Sequence, residues 1–426
     1  MTETSEKKKE RAVLVGLTAA NMPEEDRSTE TSMAELEALL ETAGGEAAAT
    51  VLQARPSPDP RTFIGSGKAA EIKEIIDAEK LDLALFDNEL SPSQARALSE
   101  ELGVRVLDRS GIILDIFAGR ARSREGRLQV ELAQYKYLLP RLTGMWTHLV
   151  RQTASGGSSP IGTRGPGETQ LETDRRHIRR RIQKLEEELE DVRRVRGTQR
   201  RVREKNETPV VALIGYTNAG KSTLLNAVTG ESIQTGDRLF DTLDTTTRRF
   251  SPDGVTEALI SDTVGFIRKL PTQLVEAFKA TLEELVEAEV LLHVIDVSNP
   301  DWRAQARVVE SLVASLGAGS IPRIDVYNKC DRAADYPAPG PGSVAISALT
   351  GRGLDELNAK IAEVLNAGVK RVKLLIPYSR SSLLDTLHGD CVIDSLEYTD
   401  EGVRAEVRCP SAVFPRIKDF VTGGQA

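Results

Sequence analysis

Residues 215–223 read GYTNAGKST, with the apolar run Val210–Ile214 before them and the amphipathic run Leu224–Val228 after them. That context predicts strand, loop and helix, and the loop carries the spacing of a phosphate cradle. Gly215 and Gly220 stand where a Cβ would keep backbone N–H groups from a phosphate. Lys221 supplies a point charge for the β- and γ-phosphates, and Ser222 a hydroxyl for Mg²⁺. Tyr216, Thr217, Asn218, Ala219 and Thr223 complete the predicted nucleotide contacts. Asn218 is also a candidate to help hold K⁺ near the phosphates.

Three later motifs narrow the ligand. Asp262-Thr263-Val264-Gly265 follows a short strand pattern at Ala258–Ser261 and reads as the D-x-x-G that sets a carboxylate near Mg²⁺ and a glycine N–H near the γ-phosphate. Asn328-Lys329-Cys330-Asp331 follows a second strand pattern and reads as N-K-x-D, where the Asp331 carboxylate accepts from guanine N1–H and its amino group; adenine lacks that pair of donors. Ser347-Ala348 is expected to close the base pocket, with an N–H toward guanine O6. Between the loop and Asp262, the stretch 239–249, LFDTLDTTTRR, should close over Mg²⁺ through Thr242. Lys221, Thr242 and Gly265 are therefore the expected catalytic groups, with Ser222, Thr242 and Asp262 around the metal. Phe266 occupies the position after D-x-x-G, and a phenyl ring cannot orient water. A low intrinsic rate is expected, with another group or a partner placing the nucleophile.

At 426 residues and 46.5 kDa the chain exceeds one core. Four segments are expected: an α/β domain over 1–122, a helical hairpin over 123–207, the nucleotide domain over 208–368 and a small α+β domain over 369–426. Residues 12–107 alternate strand and helix patterns, which implies a parallel sheet with packed helices. Gly65-Ser66-Gly67-Lys68 lacks the full spacing of a phosphate loop and reads as a turn before a helix. Apolar residues at 128, 132, 135, 139, 142 and 146, and again at 178, 182, 185, 189 and 192, form two heptad seams. They predict a long antiparallel hairpin with a glycine- and serine-rich tip at 153–167, kinked at Pro140.

The three cysteines have no ligand spacing, no run approaches the ~18 apolar residues of a membrane span, and the N-terminus has no apolar leader pattern. A cytoplasmic, monomeric protein is expected. Net charge is −8, yet 120–205 holds 21 Lys/Arg against 11 Asp/Glu. A basic segment in an acidic chain points to a polyanion, with Arg151, Arg164, Arg175, Arg176, Arg179, Arg180 and Arg181 as candidate RNA contacts. A protein partner for the hairpin is the alternative, and salt dependence separates the two.

The stretches PDPRTFIGSGK (58–68), FDNELSPSQ (86–94), DRSGIILDIFA (108–118), REGRLQVELAQ (124–134), RGPGETQLETDRR (164–176) and GYTNAGKST resemble the HflX family of ribosome-associated GTPases over nearly the whole chain. The resemblance implies a P-loop GTPase fold with Mg²⁺ as cofactor. It also implies binding to the large ribosomal subunit and its RNA, with GTP-dependent splitting or rescue of ribosomes under stress. Two departures stand out: the tip at 153–160 is longer than the family's compact glycine run, and Thr245 replaces a common proline.

Overall fold

The computed structural model describes residues 9–142, 166–205, 208–230, 239–240, 246–254, 256–270, 285–333, 335–366, 369–410 and 414–424. Four strands, β1 (Arg11–Ala19), β2 (Glu46–Arg55), β3 (Leu83–Phe86) and β4 (Arg105–Asp108), form an all-parallel sheet in the order β2-β1-β3-β4. Alternation along β1 sorts its residues onto two cores, because successive side chains leave opposite faces. Ala12 and Leu14 face α1 (Glu30–Ala43) and α4 (Arg109–Arg120), whereas Val13, Val15 and Leu17 pack with Ile72 and Ile76 of α2 (Ser66–Glu79) and Leu98 and Leu102 of α3 (Pro92–Leu102). Ser91 and Gln94 form a capping box with Pro92 in the first turn, and Gly103 in αL geometry ends α3, as that sequence predicts. Gly65 is the N-cap of α2, so GSGK is a turn into a helix start, as its spacing predicts.

Helix α5 (Arg124–Leu138) packs on the helix Pro166–Lys205 through Leu128, Leu132 and Tyr135 against Ile182, Leu185, Leu189 and Val192. The two seams thus meet over 128–135 and 182–192. Helix α5 breaks at Pro140: it ends at Leu138, 139–141 form a turn and Leu142 is helical again, because a proline at 140 cannot supply the N–H that an unbroken helix requires; the course beyond Leu142 lies outside the described residues. The tip, with Arg151 and Arg164, lies outside the described residues.

The nucleotide-binding sheet has the order β10-β9-β8-β5-β7-β6, from β5 (Val210–Gly215), β6 (Thr246–Phe250), β7 (Ala258–Asp262), β8 (Val290–Asp296), β9 (Arg323–Asn328) and β10 (Ser343–Ala345). Only β6 runs antiparallel to its neighbour. Both motif strands, β5 and β7, are adjacent and parallel, so their C-terminal ends bring the glycine loop and D-x-x-G to one edge. A single apolar cluster runs from Leu14, Leu36 and Phe117 of the N-terminal unit to Ile214, Phe240, Phe266 and Ile267 of the nucleotide-binding unit.

The tail folds into an antiparallel sheet ordered β12-β13-β11-β14, from β11 (Val369–Ile376), β12 (Val392–Thr399), β13 (Gly402–Pro410) and β14 (Val421–Gly424). Leu387 and Ile417, from the helices Ser382–Asp390 and Phe414–Ile417, cover its core. Strand β14 was not legible: Val421-Thr422-Gly423-Gly424 joins β11 by backbone pairing, which leaves no periodic side-chain signal. Among the described residues no helix is long and apolar enough to cross a membrane.

Candidate guanine-nucleotide site

The glycine loop turns out of β5 into the helix Lys221–Thr229. A Cβ on Gly215 would run into the Val294 carbonyl, and one on Gly220, at φ +93°, into the Asn328 amide. Gly220 is the helix N-cap and offers no side-chain cap, so the first-turn N–H groups remain for an anion. Thr217 N–H donates to the Phe266 carbonyl at 2.7 Å and Phe266 N–H to the Gly215 carbonyl at 3.1 Å, which zips D-x-x-G onto the loop.

Lys221 is buried, and its ammonium donates to the Gly215 and Tyr216 carbonyls at 3.1 and 3.0 Å. Burial pulls its pKa down to about 8, with Asp262 opposing. Its charge is thus held near neutral dipoles, in wait for a stronger counter-ion. Ser222 Oγ donates to Asp262 Oδ2 at 2.7 Å, so the two expected metal residues already meet. A hydroxyl and a carboxylate are hard oxygen donors that suit Mg²⁺, which completes its shell with substrate phosphates and water. Thr242, the third expected ligand, lies outside the described residues. Gly265 packs so closely on Thr217 and Lys221 that an added Cβ would lie 2.9 Å from Thr217 Cγ2 and 3.1 Å from Lys221 Nζ. Thr263 donates its hydroxyl to the Leu213 carbonyl at 2.6 Å, and Val264 is buried.

At the base end, Asn328 is the organiser. Its amide donates to the Ala219 carbonyl at 2.8 Å and its oxygen accepts from Ala348 N–H at 3.0 Å, which ties loop to base pocket. The Ala348 N–H, expected to face guanine O6, is therefore engaged by Asn328, because that buried carbonyl needs a donor. Lys329, at φ +61°, reaches the Asn218 carbonyl at 2.8 Å and the Asp296 carboxylate at 2.7 Å. Asn218 itself is exposed, also at φ +61°. Asp331 is exposed; the Ser347 hydroxyl holds its carboxyl below the usual carboxylate range, so it is ionised and ready to accept. Thr223 sits half-buried in the first helical turn.

Phe266 is 2% exposed and belongs to the shared apolar core. The arginines of the second hairpin helix divide: Arg176, Arg179 and Arg180 are exposed and Arg175 half-buried, while Arg181 grips Glu131 of α5 with two bonds of 2.9 Å.

Sequence motifs missed an entire flank of this site. Tyr216 donates its hydroxyl to Glu35 of α1 and accepts from Arg268 N–H at 2.9 Å. Glu35 pairs with Arg109, which is buried and pairs in turn with Asp87 at 2.7 Å; Asp87 then meets Lys269, four residues beyond Gly265. Burial pushes the Asp87 carboxyl up, but Arg109 and Lys269 overcome it and hold it below its ordinary value. Phe240 stands edge-on to Phe117 with ring centroids 4.6 Å apart. No spacing in the sequence pairs these residues with one another, because their partners lie 22 to 182 positions away.

Comparison with known proteins agrees along the chain. The family described as "GTP-binding GTPase N-terminal" matches residues 30–118, "GTP-binding GTPase Middle Region" residues 120–203, and "50S ribosome-binding GTPase" residues 210–329. A GTP-binding protein of Sulfolobus solfataricus, solved with GDP, covers 84% of this chain and 99% of its own at 24% identity and a TM-score of 0.42. GTPase HflX of Escherichia coli is 43% identical over 391 residues, 90% of this chain and 91% of its own. GTPase HflX of Caldanaerobacter subterraneus subsp. tengcongensis is 45% identical over 415 residues, 97% of this chain and 94% of its own. With GTPase HflX relatives of that similarity over nearly its full length, the chain belongs to the HflX family of GTPases.

Proposed function

We propose that this GTPase binds the large ribosomal subunit and couples GTP binding and hydrolysis to the splitting or rescue of ribosomes under stress, as a cytoplasmic monomer. The observation that carries the reading is the polar chain Tyr216–Glu35–Arg109–Asp87–Lys269, which joins the glycine loop and the segment after D-x-x-G to the unit that continues into the hairpin. Through it, a change at the γ-phosphate reaches the hairpin without passing through solvent. The basic surplus of 120–205, the exposed Arg176, Arg179 and Arg180, and the half-buried Arg175 support RNA as the contacted surface, with Arg151 and Arg164 proposed at the tip. Arg181 contributes by locking the two helices together. The description "50S ribosome-binding GTPase", matched over 210–329, supports the same target. With Phe266 buried in the shared apolar core, we further propose that K⁺ near Asn218 supplies positive charge beside the phosphates and that the ribosome raises a low basal rate.

Co-sedimentation with purified subunits under GDP, GTP and a non-hydrolysable analogue tests the reading. Turnover should be followed in K⁺ and Na⁺ at equal ionic strength. Binding to the large subunit with the analogue, weakened steeply by salt and accompanied by loss of 70S light scattering, is expected. Salt-insensitive binding to another protein, with no subunit association, would replace the ribosome by a protein partner; equal rates in the two cations would remove K⁺.

A further inference from the structure

The hydroxyl of Thr217 is the one buried side-chain hydroxyl among the described residues with no hydrogen-bond partner, in a residue only 7% exposed. Folded proteins pair such groups as a rule, so an orphan inside a site points to a missing ligand atom. Other hydroxyls of the site are engaged: Ser222 bonds Asp262, Thr263 bonds the Leu213 carbonyl, and Ser347 accepts from Thr350 N–H at 3.2 Å. The backbone of Thr217 is committed as well, since its N–H donates to Phe266. What remains free is the side chain, and its place is fixed by the close packing of Thr217 Cγ2 and Cα and of Lys221 Nζ around Gly265. Lys221 and Gly265 are the two groups whose chemistry addresses the γ-phosphate.

We infer that the Thr217 hydroxyl donates a hydrogen bond to a γ-phosphoryl oxygen of GTP and is thereby a catalytic residue of the hydrolysis. In that reaction the water oxygen bonds to Pγ as the bond from Pγ to the GDP oxygen breaks. GDP leaves with the bonding electron pair, and the water proton ends on phosphate. Negative charge on the equatorial γ-oxygens and the leaving oxygen must be held meanwhile. A preorganised donor aimed at one of those oxygens takes up part of that task. The absence of a water-orienting side chain at Phe266 makes such a donor more consequential. Because Thr217 has no other partner, its bond exists with a triphosphate and not with GDP. The site therefore senses the γ-phosphate through a side chain of the glycine loop itself.

The test uses the full chain with Thr217→Val, which keeps the shape and removes the hydroxyl, Thr217→Ala as a second deletion, and Thr217→Ser, which keeps it. Affinity for GDP and for a non-hydrolysable GTP analogue, single-turnover hydrolysis, and trapping of GDP with aluminium fluoride are measured in each. A hydrogen bond to a charged group predicts losses of about 10- to 100-fold in analogue affinity, hydrolysis and trapping for the valine and alanine variants, with GDP affinity unchanged. The serine variant should restore all three. Equal losses for GDP and the analogue would assign the hydroxyl to the β-phosphate or to the loop's shape and overturn the inference, as would hydrolysis at the parental rate in Thr217→Val. Intact GDP binding shows that the variant's site is folded.

Discussion

At the scale of single residues, Lys221 makes nucleotide binding depend on pH in a defined direction. Burial lowers its pKa to about 8 in the ligand-free fold, whereas an unfolded lysine keeps its proton to about 10.4. Below about 8 the ammonium is present before the triphosphate arrives. Above it, binding must first return a proton, so GTP affinity should stay level from pH 7 to 8 and then fall toward the limit of tenfold per pH unit. The sign for stability is the reverse: between those two pKa values the unfolded chain binds more protons than the folded one, so ligand-free stability rises with pH across that window. Calorimetric titration in two buffers of different ionisation enthalpy should show proton uptake on GTP binding at pH 9, and an affinity level from pH 7 to 9 would contradict it. The placement of this residue was legible, as was that of Ser222, Asp262, Asn328 and Asp331 around the glycine loop, because each stands at a fixed spacing in a motif that follows a strand. The Ala348 amide was not, since its use depends on which way Asn328 turns, and that is decided by Ala219 109 positions away.

At the scale of elements, the hairpin shows where periodicity is a sufficient guide. Leu128 and Leu132 meet Leu185 and Leu189 in a cluster of their own, separate from the other apolar clusters. Leu185 is 0% exposed, so Leu185→Ala leaves a cavity, and a loss of about 2–3 kcal/mol is expected. Because that cluster shares no residue with the nucleotide site, the loss should appear as a lower Tm or easier proteolysis of 166–205 while GDP affinity is unchanged. A variant as stable as the parent would mean that the seam is not tightly packed. The N-terminal sheet was legible on the same grounds, from caps and alternation. Strand β14 was not, because it pairs with β11 through its backbone and only Val421 of its four residues packs on the apolar core.

At the scale of the molecule, two units are joined by a shared apolar core and by one buried polar chain, and the second decides how they communicate. Apolar packing is tolerant of small shifts; a buried ion pair is not, since a displaced charge loses its partner in a medium that cannot solvate it. Arg109 is the hinge of that chain, and removing it would take from Glu35 and Asp87 the buried cation they share, at a cost of about 3–5 kcal/mol, so it reports on folding more than on coupling. Lys269 is the informative position. It stands just after D-x-x-G, at φ +54°, its side chain 9% exposed, and it meets an Asp87 that keeps Arg109, Ser28 and Ser32 as partners. Lys269→Met therefore cuts the tie to the segment after D-x-x-G while leaving the rest of the cluster paired. Movement of that segment on GTP binding would no longer pull on β3 and α4. Hydrogen exchange with GDP and with a non-hydrolysable analogue should differ at 30–43 and 109–120 in the parent and much less in Lys269→Met, with GDP affinity retained in both. If the variant keeps the full nucleotide-dependent difference, the shared core carries the signal and the polar chain serves only to fix how the two units dock.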